Sequence, residues 1–171
     1  MFQQHDIRRN ACQLYGAQAR QGYDWWWHSF TAVHSRTGEE KPFYVEYFLC
    51  NPESGGDRPI LGQLPENKEK GRKPSYLMVN VGTWGKDHRQ LHRFFSWKET
   101  KVDYGVPFRV EAADCSATET EIRGSVSVDR EEAEKHPEWM SDGGEMSWDL
   151  KVDKKIPFNV GYGAGSLFRK M

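Results

Sequence analysis

One carboxylate in this sequence lies in an aromatic setting that could make it an acid catalyst. Glu46 falls within the run FYVEYFL at residues 43–49, and in an extended chain Tyr44 and Phe48 share its face. Burial among rings would raise the pKa of the carboxyl group, so that it could hold or deliver a proton near neutral pH. Two alternatives stay open: this face is wet, or Glu46 pairs with a cation.

Three consecutive tryptophans, Trp25, Trp26 and Trp27, follow a second candidate acid, Asp24. In a strand, Asp24, Trp26 and His28 share one face, and Trp25 and Trp27 share the other. A strand with one face in water normally alternates apolar and polar residues. We therefore expect both faces to be covered, one by the core and one by a ligand or another domain. The alternative is an aromatic core with a buried edge strand.

A metal site is not expected, although two histidines have a suggestive spacing. His88 and His92 are four residues apart, which on a helix would place them on one face. The surrounding residues favour a turn followed by a strand, and no Glu follows His88. On a strand His92 shares a face with Gln90 and Phe94, which predicts either a polar position in an aromatic wall or a structural histidine.

Strands must position most of these side chains. Aromatic and β-branched runs between polar, Gly or Pro turns predict seven strands, at residues 24–33, 42–50, 75–84, 90–98, 108–113, 118–128 and 145–152. The fifth and sixth are expected to form a hairpin. On the last strand Trp148 points to the same side as Met146 and Leu150. Short strands with turns between neighbours predict an all-β, mainly antiparallel barrel or sandwich of about seven to nine strands.

The remaining segments are expected to be a short N-terminal helix, a long loop and a second helix. The helix is predicted at residues 7–20, within an N-terminal helix or arm at residues 1–22. Residues 51–74 form a polar loop with four Pro and four Gly, a length typical of a lid or a mobile segment. Residues 129–136 are acidic and helix-prone, and Pro137 ends them.

Composition places the chain among single globular domains. It has 171 residues, a formal net charge of -1 and a mean hydropathy of -0.84, yet 13% of its residues are aromatic. The charge balance gives no electrostatic reason to expect a nucleic-acid or anionic-membrane partner. No run of 18 apolar residues predicts a membrane span. The number of cysteines is odd: Cys12, Cys50 and Cys115. This count predicts reduced thiols. Because the N-terminus also lacks an apolar run, we expect a cytoplasmic protein.

Two short motifs resemble a known family. The run YDWWW at residues 23–27, followed by a polar turn and the aromatic strand at 43–49, resembles the opening hairpin of the tocopherol cyclase-like family. The run SWDL at residues 147–150, continuing to GYG at 161–163, resembles that family's Trp-Asp strand and the glycine turn after it. The wider group includes carotenoid 1,2-hydratase (hydroxyneurosporene synthase) and related lipocalin-like proteins.

The resemblance implies two consecutive lipocalin-like domains around a shared cavity. Family members protonate a double bond of a prenylated or polyene substrate, after which a ring closes or water adds, with no cofactor or metal. Residues 23–158 would form the first domain, and residues 159–171 would be a glycine-rich passage toward a missing second domain. The sequence is then either a fragment or a short member of the family that acts alone or as a homo-oligomer.

The function expected from these observations is binding of a hydrophobic, isoprenoid-like small molecule, with acid-catalysed cyclisation or hydration as a further possibility. The alternative is a non-catalytic lipid-binding or structural half of a two-domain protein. Glu46 and Asp24 are the candidate acids. The candidate ligand-binding residues are Trp25, Trp26, Trp27, His28, Tyr44, Phe48, His92 and Trp148.

Overall fold

Nine strands form two antiparallel sheets in a computed structural model that describes residues 4–156, with side chains from residue 7 onward. Buried residues of both sheets contribute to one apolar core, so the sheets pack as a sandwich. This confirms the predicted all-β antiparallel class and strand number. The predicted glycine-rich passage at residues 159–171 lies outside the described residues.

The first sheet contains the long aromatic strands. Its order is β1-β2-β3-β4, with neighbours antiparallel. The bounds are Tyr23–Val33 for β1, Glu40–Cys50 for β2, Tyr76–Thr83 for β3 and Arg89–Phe95 for β4. All four match predicted strands, although β4 ends three residues before the predicted limit at Lys98.

The second sheet is built from shorter strands in the order β5-β6-β7-β8-β9. The bounds are Thr100–Asp103 for β5, Arg109–Ala112 for β6, Cys115–Thr118 for β7, Glu121–Val128 for β8 and Gly144–Lys151 for β9. The predicted hairpin between β6 and β8 is wrong, because β7 lies between them and pairs with both. A tight turn with Ala113 at a φ of 50° sends the chain directly from β6 into β7.

Alternate residues of β2 fill the space between the sheets. Val45, Tyr47 and Leu49 are fully buried, and they pack in the same core as Val110 and Ile122 of the second sheet. The Tyr47 hydroxyl lies 2.8 Å and 2.7 Å from two carbonyl oxygens of the second sheet, those of Ser116 and Arg123. A ring from one sheet thus reaches the backbone of the other, and the interior between them is packed with side chains.

Three short helices flank the sheets. The predicted N-terminal helix at residues 7–20 is wrong, since a 3-10 helix at Gln4–Asn10 and helix α1 at Gln18–Gln21 replace it. Gly16, at a φ of 58°, interrupts the helical conformation between them. Helix α2, Pro65–Glu69, lies in the long loop. Helix α3, Arg130–Lys135, was predicted. Its N-cap is Asp129, whose carboxylate accepts hydrogen bonds from two backbone N–H groups of the first turn.

The free edge of β4 is covered by the segment that follows α3. The backbone N–H of Gln90 donates to the Asp142 carboxylate at 2.8 Å, and the N–H of Asp142 returns a bond to the Gln90 carbonyl at 2.8 Å. The N–H of His92 donates to the Ser141 hydroxyl at 3.0 Å. Side chains and one backbone bond therefore take the place of a further strand.

Candidate functional site

The outer face of the first sheet, which points away from the second sheet, carries most of the predicted site. The register of the strands places two tryptophans, two further rings, one carboxylate and one imidazole on it: Trp25, Trp27, Tyr44, Phe48, Glu46 and His92. Most of these were chosen from β1 and β2 by strand parity, and the structure brings them onto one surface.

A row of four neighbouring residues, three of them polar, crosses this face between the other aromatic side chains. Trp27, Glu46, Asn80 and His92 lie directly opposite one another on the four adjacent strands. The Asn80 amide nitrogen donates to the Glu46 carboxylate at 3.0 Å. Asn80 is only 8% exposed, and its amide oxygen is buried without a hydrogen-bond partner among the described residues. The row therefore holds an unsatisfied buried acceptor, which is uncommon in folded proteins.

Glu46 is a half-buried carboxylate that pairs with an amide instead of a cation. Desolvation raises the pKa of Glu46, although the hydrogen bond from Asn80 acts in the opposite direction. No Lys, Arg or His side chain between residues 7 and 156 forms an ion pair with it. Such a carboxyl group can exchange a proton at a higher pH than an exposed one.

His92 ends the row, and its two ring nitrogens have different roles: Nδ1 donates a hydrogen bond and Nε2 is left as an acceptor. Its Nδ1 lies 2.7 Å from the Trp139 carbonyl oxygen, and since a carbonyl only accepts, Nδ1 carries the proton. Burial lowers the pKa of His92, against a smaller opposing effect of the bond to Trp139. The other ring nitrogen, Nε2, is therefore unprotonated and can accept a bond from a ligand.

A cleft of about 720 Å³ opens at the β4 end of the outer face. His92 and Phe94 line it from β4, Leu61 and Leu64 from the long loop, and Trp139 from the 3-10 helix Pro137–Trp139. Its volume and mainly apolar walls are typical of small-molecule sites. The end of β8 and helix α3 also contribute to its lining, so the cleft is assembled from five separate segments of the folded chain.

Polar contacts fix the walls of the cleft. The Asn67 amide donates to the Leu61 carbonyl at 2.8 Å, and the Gln63 amide donates to the Glu138 carbonyl. The second bond ties the long loop to the 3-10 helix on the other wall. His136 stacks on Trp139 with ring centroids 4.4 Å apart. The loop that the sequence predicts as a lid or a mobile segment is thus bonded to the 3-10 helix just before helix α2, and the Asn67 bond holds α2 to the preceding part of the loop.

At the β1 side of the outer face, rings cover one another instead of being covered by a second layer. Trp27 stacks on Tyr44 with centroids 4.7 Å apart, and Trp84 packs against Tyr44 at 4.8 Å. Trp25 is still 50% exposed and Trp27 39% exposed. Within the described residues the core covers one face of β1 and ring–ring stacking partly covers the other, so the expected cover by a ligand or another domain stays a prediction.

Four predicted site residues lie away from the outer face. Trp26 points inward, where it stacks on Phe108 at a centroid distance of 4.7 Å and donates to the Asn10 carbonyl at 3.0 Å. Asp24 accepts the backbone N–H of Gln13 at 2.8 Å, which anchors the N-terminal arm.

Trp148 and His28 also belong to the inner side. Trp148 is buried against Gly124, where an added Cβ would lie 2.7 Å from the indole ring. His28 lies on the inner face of β1, and its Nε2 is buried without a partner among the residues that the structure describes. The structure brings neither residue to the cleft.

The burial of His28 predicts a stability that depends on pH. Desolvation, assisted by the positive charge of Lys154 and opposed by Glu119, lowers the pKa of His28 to about 4, from 6.5. Between these values the unfolded chain binds more protons than the folded one. The free energy of unfolding should therefore decrease as pH falls from 6.5 to 4, by at most about 3 kcal/mol from this residue. Urea unfolding of the wild type and of His28→Phe over this range measures the difference.

The control for this experiment is His88→Phe, because His88 is exposed on a turn. It should keep the pH dependence of the wild type, whereas His28→Phe should reduce the slope. Equal slopes for His28→Phe and the wild type would show that His28 is not held neutral by the fold.

Several residues of the site carried no signal in the sequence. Asn80 lies between two hydrophobic residues of β3, and nothing in its neighbourhood indicates a partner. Leu61, Leu64 and Trp139 lie in irregular segments, where neither strand nor helix parity applies. Only the register that joins β2 to β3, and the fold of the loop over β4, bring them to the site.

Comparison with protein-family models, with curated proteins and with solved structures gives no match to this chain. The resemblance to the tocopherol cyclase-like family therefore stays a prediction. Within residues 4–156 no helix is long and apolar enough to cross a bilayer. The function is argued below from the geometry of the outer face and its cleft.

Proposed function

We propose that this protein binds a hydrophobic, isoprenoid-like small molecule in the cleft at the β4 end of the outer face. The observation that carries the proposal is the cleft itself, about 720 Å³ with Leu61, Leu64, Phe94 and Trp139 on its walls. Desolvation of such walls by an apolar ligand is favourable, by about 25 cal/mol for each Å² of apolar surface removed from water.

The polar groups of the cleft suit an apolar ligand with one polar end. His92 offers a neutral acceptor, and ionic residues including Arg58, Glu132 and Glu138 also line the cleft. An apolar chain would contact Phe94 and the two leucines, while a hydroxyl group would donate to His92 Nε2. A few polar groups in an apolar cleft fix the orientation of a ligand.

A cation placed on the apolar cleft wall should weaken this binding. Leu64→Arg puts a charge where the apolar chain would lie, and desolvation of that charge should weaken binding at least tenfold, or about 1.4 kcal/mol. We would titrate farnesol and follow tryptophan fluorescence, after native mass spectrometry of the purified chain has shown whether a lipid is already bound.

The matched control is Val106→Arg, which introduces the same charge at an exposed apolar residue between β5 and β6. It should bind farnesol as the wild type does. If the wild type shows no saturable binding, or if Leu64→Arg binds equally well, the cleft is not the ligand site.

A second candidate function is acid catalysis on the same ligand, and one observation favours it. Glu46 carries a raised pKa and no cation partner among the described residues. Two strand spacings separate its backbone from that of His92, or about 10 Å. Phe48, Met78 and Phe94 form the adjacent row, so an isoprenoid chain that leaves the cleft along these residues would pass beside Glu46.

A further inference from the structure

A basic, exposed turn follows helix α2, and its Lys73 ammonium donates to the Arg20 carbonyl at 3.4 Å. Residues 65–74 hold four cations and two carboxylates, which leaves a net charge of +2. The four cations are exposed and form no ion pair with another described side chain: Lys68, Lys70, Arg72 and Lys73. Backbone bonds from Gly71 to Lys68 at 3.0 Å and from Arg72 to Asn67 at 2.8 Å hold the turn in shape.

Exposed rings lie beside this basic turn. Lys73 lines a cleft of about 320 Å³ together with Tyr23, Phe48 and Tyr76. Tyr23 is 64% exposed and stacks on Trp25, with ring centroids 5.8 Å apart. Lys73 and the two exposed rings therefore adjoin at the start of β1 and of β3, and the other three cations precede Lys73 on the same turn.

This combination has the chemistry of a membrane contact. Trp and Tyr rings are favoured at the level of lipid headgroups, since one end of each ring system is apolar and the other is polar. Cations near an anionic bilayer add roughly fivefold in affinity each. We propose that the membrane-docking surface, formed by Tyr23, Trp25 and the basic turn, binds reversibly to anionic lipid bilayers.

The net charge of -1 for the whole chain does not oppose this proposal. Charges act on a bilayer only within about 10 Å at moderate salt, so the local excess of cations decides the contact. Single-stranded nucleic acid also favours cations and rings, but it requires cations along a groove that follows several phosphates. Here the four cations lie on one turn, which suits a flat anionic surface. The proposal goes beyond ligand binding in the cleft and does not depend on it.

Co-sedimentation of the full chain with vesicles tests the proposal. Vesicles of phosphatidylcholine with about 30% phosphatidylglycerol should retain the wild type, and pure phosphatidylcholine vesicles should retain it at least tenfold less strongly. The variant K68Q/K70Q/R72Q/K73Q should lose at least tenfold in affinity for the anionic vesicles, as should Y23A/W25A. The four substituted cations are exposed polar residues. Circular dichroism would verify the fold of each variant.

Two controls keep the result specific. R36Q/K41Q/K86Q/K101Q removes four exposed cations from other strands and turns, and Y104A removes an exposed ring near β5; both should bind as the wild type does. The proposal is overturned if the wild type does not bind anionic vesicles, or if the first set of variants binds them undiminished. Binding of a single-stranded oligonucleotide in place of vesicles would overturn it too. No farnesol is present, so a failure here leaves the cleft proposal intact, and the reverse also holds.

Discussion

Replacing Trp26 with alanine should lower the free energy of unfolding by about 3–5 kcal/mol, the range measured for large aromatic residues in protein cores. Trp26 is 7% exposed, stacks on Phe108, and donates its indole N–H to the Asn10 carbonyl. The substitution would leave a cavity and an unpaired carbonyl at the point where the N-terminal arm meets the second sheet. Urea unfolding, followed by circular dichroism, measures the loss.

The neighbouring residue provides a matched control. Trp25→Ala makes the same chemical change one position earlier on the same strand, but Trp25 points outward and is half exposed. It should cost about 1 kcal/mol or less, since an exposed ring loses only the stacking with Tyr23. Similar losses for the two variants would mean that the faces of β1 are assigned incorrectly.

If the protein is an acid catalyst, Glu46→Gln should lower its turnover of a prenylated alkene substrate at least 100-fold, the lower end of the effect expected for a general acid. The amide has nearly the shape of the carboxyl group, but its N–H protons are not acidic enough to protonate an alkene. Binding of farnesol should change little, because Glu46 lies outside the cleft that holds the ligand. Product analysis by chromatography measures turnover, and fluorescence titration measures binding.

The pH profile adds a readout that a merely structural role would not give. Burial raises the pKa of Glu46, so the protonated, active form would persist to a higher pH than for an ordinary glutamate, and the rate should fall as pH rises through that value. Glu145→Gln, at an exposed position of β9, is the control. Undiminished turnover by Glu46→Gln would exclude Glu46 as the acid, and no turnover by the wild type would exclude this chain as a catalyst on that substrate.

The long strands could be predicted because their residue types report directly on the backbone. In β2 the alternation of Val45, Tyr47 and Leu49 with Tyr44 and Glu46 marks two faces, and the structure preserves that division. Strand β9 shows the same correspondence, with Trp148 buried and its neighbours Ser147 and Asp149 exposed. The outer-face members of the site follow from this parity.

The short strands could not be predicted, since four residues give too little alternation. Strand β7, with the sequence CSAT at residues 115–118, has small residues of no clear preference. It becomes a strand because β6 and β8 supply hydrogen-bond partners on both sides. Strand β5 is a similar case. Tertiary pairing decides these segments, and local propensity does not.

The triple tryptophan shows why burial of a ring cannot be deduced from its type alone. Trp26 fits the expectation of a buried indole, whereas Trp25 and Trp27 gain contact from Tyr23 and Tyr44 beside them on the same face. A sequence contains the rings but not their lateral neighbours. For the same reason the cleft was not predictable, because it depends on how the loop at residues 51–74 folds over β4.

The bonds that Ser141 and Asp142 make along β4 also limit how this sheet could grow between molecules. A strand from another copy that approached β4 would meet donors and acceptors that are already occupied at Gln90 and His92. Among the described residues, β1 is then the uncovered edge of the first sheet, and two molecules that joined there would each use up that edge. Association by this route would stop at a pair and could not propagate into a fibril.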